Sequence, residues 1–94
     1  MNVVMVRIPT PLRRFTAGAD EVSVEGRSVG EVLQELVARH QDLSHHLFDT
    51  DGGIRKFINI YVNDRNVSSL DGLDTAVDNG TVLTIVPAVA GGRR

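Results

Sequence analysis

Apolar residues recur along this chain in two rhythms, one of period two and one near 3.6. Residues 2–8, NVVMVRI, are short and β-branched. Val4, Val6 and Ile8 fall on one face of an extended segment, and Val3, Met5 and Arg7 on the other. Apolar side chains on both faces predict a central strand, which Pro9 and Pro11 stop. Residues 12–20, with Gly18, read as a loop. Glu21-Val22-Ser23-Val24-Glu25 then alternates strictly, valines to one side and acids to the other, and predicts a half-buried strand paired with the first. The clearest strand is Phe57-Ile58-Asn59-Ile60-Tyr61-Val62, with Ile58, Ile60 and Val62 on one side and Phe57, Asn59 and Tyr61 on the other. Asn63–Asn66 is a tight turn, after which Val67 opens a short edge strand. Asp78-Asn79-Gly80 is a turn signal. Thr81–Val86 is the last strand, ended by Pro87.

Between the second and third strands the period changes. Val29, Val32, Leu33, Leu36 and Val37 form the stripe of an amphipathic helix. Ser28 precedes it and Glu31 follows three positions later, which is capping-box spacing. Glu31 and Glu35 lie early and Arg39 and His40 late, as the helix dipole favours. The helix is expected over about residues 29–40. Residues 41–53 are irregular, with one short helical turn around 43–48. Leu70, Leu73 and Val77 pin a wandering loop to the core. One helix is too few for a doubly wound sheet. The order predicts an α+β domain over residues 1–87, with a mixed four- to five-stranded sheet and one main helix packed on one face. The β-grasp arrangement has this order, and in it the first and last strands are parallel neighbours.

The chain has 94 residues, which bounds it to one domain, and its net charge of −2 leaves no nucleic-acid footprint. It contains no cysteine, which removes disulfides, thiolate metal sites and a thiol nucleophile. No signal peptide or membrane-length apolar run is read, so a cytoplasmic protein is expected. The basic pairs Arg13–Arg14, Arg55–Lys56 and Arg93–Arg94 read as solvated. His45 and His46 are adjacent and would diverge by about a hundred degrees on a helical turn, a poor arrangement for joint chelation, so no metal site is expected. Asp49/Asp51 and Asp71/Asp74 sit in turn contexts. No phosphate-cradling loop, no H-E-x-x-H and no serine with a neighbouring base is found. The chain assembles no catalytic site of its own. Phe57, Asn59 and Tyr61 are left as candidate docking residues. Two readings of their face stand: a surface for a partner, or one covered by residues 41–56.

The end of the chain, PAVAGGRR, offers different chemistry. After Pro87, residues 88–94 have no turn signals and no core to join, and read as a flexible tail. A chain ending at Gly92 would carry two residues without side chains, able to lie extended in a channel too narrow for a Cβ. Pro87, Ala88, Val89, Ala90 and Gly91 would thread another protein's active site ahead of it and bring the Gly92 carboxylate there. A carboxylate is a poor electrophile, so that site must first activate it, for instance as an acyl-adenylate formed from ATP. A sulfur nucleophile would then leave a thiocarboxylate, and an amine an amide.

The segment NGTVLTIVPAVAGG (79–92) resembles the C-terminus of the ubiquitin-like sulfur carriers, which include the molybdopterin synthase small subunit and the thiamine sulfur carrier. RIPTPLRRFTAG (7–18), the capped helix and FINIYVNDRNV (57–67) are most similar to the actinobacterial branch that supplies sulfur for cysteine synthesis. The resemblance covers nearly the whole chain. It implies a β-grasp fold and a carrier that is not itself an enzyme. It also implies adenylation of Gly92 by an E1-like enzyme using ATP and Mg, with no cofactor bound by this chain, and conversion to a thiocarboxylate. The implied receiver is a cysteine synthase using O-phosphoserine, and a zinc metallopeptidase frees the product. Molybdopterin or thiamine synthesis is the alternative destination. A ubiquitin-like modifier or binding module without sulfur chemistry is the alternative function. The departure is Arg93-Arg94, which ties the Gly92 carboxyl into a peptide bond. A precursor trimmed between Gly92 and Arg93, an addition beyond the encoded end, and a relative that has given up sulfur transfer are the three readings of it.

Overall fold

The computed structural model describes residues 2–87. The predicted tail, Ala88–Arg94, lies outside the described residues. Five strands form one sheet: β1 (Val3–Arg7), β2 (Glu21–Glu25), β3 (Ile58–Val62), β4 (Arg65–Asn66) and β5 (Val82–Pro87). Their order is β2-β1-β5-β3-β4. β1 runs parallel to β5, with Val6 opposite Leu83, and every other pairing is antiparallel. The first and last strands are therefore central neighbours, as the sequence order predicted. Being flanked on both sides, they can carry apolar residues on both faces.

One helix, α1 (Val29–Arg39), packs across the sheet. Val29, Val32, Leu33 and Leu36 are fully buried against Val4, Val6, Val24, Leu83 and Ile85. The alternation in the strands and the stripe on the helix thus meet in one core. Burying each such side chain contributes about 1.5–3 kcal/mol. Ser28 caps α1, its Oγ accepting from the Glu31 N–H at 3.2 Å. The return arm of the expected box is displaced: Glu31 Oε1 accepts from the Arg27 N–H, not from that of Ser28. His40 closes the helix, donating its N–H to the Leu36 carbonyl. Where the chain leaves β2, a Cβ on Gly26 would lie 2.9 Å from the Val32 backbone nitrogen, so the close approach of α1 needs glycine there.

Two connecting segments differ from expectation, and a third carries the short helical turn expected around residues 43–48. The expected loop after β1 contains a 3-10 helix, Thr10–Phe15, with Pro11 in its first turn and Leu12 buried. Its i, i+3 spacing turns Leu12 and Phe15 toward the core. Residues 41–47 form a 3-10 turn (Gln41–Leu43) followed by α2 (Ser44–Leu47), burying Leu43 and Leu47. The edge strand is Arg65–Asn66; Val67 instead begins a 3-10 turn and is buried beneath it. The Asn66 side chain caps that turn by accepting from the Ser68 N–H, which ends the pairing one residue early.

Candidate functional site

Two surfaces meet where β5 ends. The first is the sheet face opposite α1. The pairings Met5–Val82, Tyr61–Thr84 and Asn59–Val86 place these side chains, with Val3, on that face. The segment after α1 does not cover it. Leu43 and Leu47 join the core on the helix side, and Phe48 and Ile54 pack against that same core. Residues 41–56 flank Phe57 in the cleft described below but do not bury it. Phe57 is 52% exposed, Val86 38% and Val3 37%. Asn59 and Tyr61 are half-buried among their neighbours. The Asn59 side-chain oxygen accepts from Asn66 Nδ2 at 3.3 Å, which ties the face to the edge strand.

The second surface is an open cleft of about 490 Å³ lined by His45, His46, Asp49, Arg55, Lys56, Phe57, Ile58 and Pro87. Pro87 pairs with Ile58, so the last described residue emerges directly beside Phe57. The Arg55 N–H donates to the Leu47 carbonyl at 2.8 Å, and the Ile58 N–H to the Arg55 carbonyl at 3.0 Å. These two bonds fix the Arg55-Lys56-Phe57 corner to α2 and to β3. From sequence, Arg55–Lys56 reads as a solvated pair and His45–His46 as a pair unsuited to joint chelation. All four are exposed, but the fold gathers them at the root of the tail. The available signal was a basic pair directly preceding an aromatic residue at the start of a strand.

The cluster assembles no catalyst. His46 stacks on Phe15, ring centroids 4.5 Å apart. Among the described residues no group of three histidines or acids could hold a metal ion. Asp51 is held below the usual carboxylate range by its hydrogen bond with the Asp49 side chain and then by the Gly53 backbone. A lowered carboxyl is the reverse of what a general acid near neutral pH requires. No helix among the described residues is long and apolar enough to cross a membrane.

A helix-covered sheet, with a strand running out beside a bare face, suits a domain whose terminus is the working part. The model of the ThiS family matches residues 6–92. The chain belongs to the ThiS family. The match runs through the Gly-Gly pair and stops before Arg93. Among ThiS-family relatives, the sulfur carrier protein CysO of Mycobacterium tuberculosis is 46% identical over 94 residues, covering 98% of this chain and all of the relative. A chain in the crystal structure of the Amycolatopsis orientalis BexX/CysO complex superposes with a TM-score of 0.87 at 42% identity, covering 95% of this chain and 99% of that one. The small archaeal modifier protein 3 of Haloferax volcanii is 40% identical over 65 residues, covering 69% of this chain and 70% of the relative. The β-grasp fold and the sulfur-carrier kinship expected from the sequence are both borne out. The tail residues Ala88–Gly92, to which the sequence assigns the chemistry, lie outside the described residues.

Proposed function

We propose that this protein carries sulfur on its own C-terminal carboxyl group, as a substrate of other enzymes and not a catalyst. The observation that carries the reading is the family match ending at Gly92, on the residue whose carboxylate the sequence singles out. Once Arg93 and Arg94 are removed, an E1-like enzyme binds the bare sheet face through Phe57, Asn59 and Tyr61. It draws the tail, Pro87 to Gly91, into its own active site. There the Gly92 carboxylate attacks the α-phosphorus of Mg-bound ATP and releases pyrophosphate. A sulfur nucleophile displaces AMP from the adenylate and leaves a thiocarboxylate. The ATP and the metal belong to the partner, and the reaction belongs to the cytoplasm, where ATP is supplied.

The full-length kinship to CysO favours cysteine synthesis over molybdopterin or thiamine synthesis as the destination. The acceptor is then an O-phosphoserine-dependent cysteine synthase, with a zinc metallopeptidase acting in trimming or release. Protein modification is the weaker reading, because the archaeal modifier matches less of the chain at lower identity.

The test uses a chain ending at Gly92, an E1-like adenylating enzyme, ATP and sulfide, read by intact mass. Exchange of one oxygen for sulfur is the expected result, and an unchanged mass would sink the carrier reading. Gly92→Ala should abolish the exchange without changing the melting temperature. The full chain should stay unmodified until both arginines are gone. Thiocarboxylate on a chain that retains them would refute the trimming step.

A further inference from the structure

The cleft at the tail root differs in charge from the molecule that carries it. The chain has 12 acids against 10 Lys and Arg. In the cleft the permanent cations Arg55 and Lys56 stand beside the imidazoles of His45 and His46, with Asp49 as the one lining acid. Asp51, on the same turn, lies outside the lining. The ion pairs among the described residues are Arg7–Glu21 and Arg39–Glu35, and neither involves Arg55 or Lys56. Arg55, held at a fixed corner by its backbone bonds, and the adjacent Lys56 have no ion-pair partner among the described residues, and together they form a rim charge beside the tail root. Phe57, 52% exposed, supplies an apolar contact in the same cleft.

We propose that this cleft docks an acidic segment of the activating enzyme, placed beside the channel that the tail enters. The inference rests on the carrier reading above and names the chemistry of the partner's matching surface. A protein segment fits better than a small anion. Phe57 and Pro87 belong to the cleft and also adjoin the bare sheet face, so one continuous surface has to cover both. A net-negative carrier is repelled by an acidic partner in most orientations. It is attracted in the one that presents the tail root, and that orientation leads the terminus into the site. Exposed rim charges act chiefly on the rate of encounter and lose their effect as salt rises.

The experiment measures thiocarboxylate formation by the E1-like enzyme on the Gly92-ended chain at low and high NaCl. Arg55→Glu/Lys56→Glu should lower kcat/KM at low salt by about tenfold or more, within the range of electrostatic steering. The loss should fall on KM, kcat should hold, and the deficit should shrink at high salt. Arg55→Gln/Lys56→Gln should lose less. Arg27→Glu, exposed and outside the cleft, matches the single Arg55→Glu in overall charge and should change little where Arg55→Glu loses rate. Matching melting temperatures for all variants would keep the comparison free of folding effects. Equal losses from Arg27→Glu and Arg55→Glu would overturn the proposal. So would a faster reaction on charge reversal, which would mark the cleft as a resting place for the chain's own carboxylate. Wild-type chain that gains no sulfur would instead remove the carrier reading beneath it.

Discussion

On β1, Val4 and Val6 are fully buried, whereas Val3, the same residue type one position earlier, is 37% exposed. Their strand and β-propensity are shared; what differs is that α1 covers one face and nothing among the described residues covers the other. β5 repeats the contrast, with Leu83 and Ile85 buried and Val86 38% exposed. An apolar residue in a strand thus reports that a surface is to be covered, without saying by what. On one face the cover is the chain's own helix. On the other, Val86 and Phe57 stand exposed at the end of the sheet where Pro87 emerges and Val3 at the opposite end, with no cover among the described residues.

This contrast can be broken most forcefully on the covered side. Leu33→Ala, which leaves a cavity between α1 and the sheet, should cost about 2–5 kcal/mol in urea unfolding. A cost near zero would mean that α1 is not the cover assigned to it. Ser28→Ala acts on the same helix from its end and should cost about 1 kcal/mol by losing the cap. The smallest effect on stability belongs to the bare face: Phe57→Asp and Tyr61→Asp should each stay within about 1 kcal/mol of wild type, while weakening partner binding on the order of tenfold. If either variant failed to fold, that face would be core and the contrast would collapse.

The sequence made the covered side easy to read. Its two periods point at a common core, and the Ser28 cap and the apolar stripe mark α1 to within a residue of its observed ends. The central place of β1 followed from valine and methionine on both its faces, and its parallel pairing with β5 from the β-grasp order of elements. The short helical pieces were less legible. The 3-10 helix at Thr10–Phe15 carries only one i, i+3 apolar pair, too little to separate a turn of helix from a loop. The direction taken by residues 41–54 depends on where Leu43 and Leu47 find space, which is a property of the assembled core. The gathering of His45, His46, Arg55 and Lys56 at Pro87 was hidden for a related reason. It joins positions about thirty to forty residues apart through the Pro87–Ile58 pairing, and local spacing carries no trace of that.

The parallel pairing of β1 with β5 also has a consequence in time. The strand that leads to the reactive end is the third of five across the sheet, wedged between β1 and β3. Until it arrives, neither neighbour has a partner on that side, and the sheet exists only as two unjoined hairpins. Closing contacts between the two ends of the chain is the slow, entropically costly part of folding such a topology. A chain still being synthesised, or one whose last strand has come away, therefore presents no Pro87 corner and no continuous sheet face beside it. On the function proposed above, an activating enzyme reading these surfaces would be offered a terminus only by molecules that have finished folding, and incomplete chains would go unloaded.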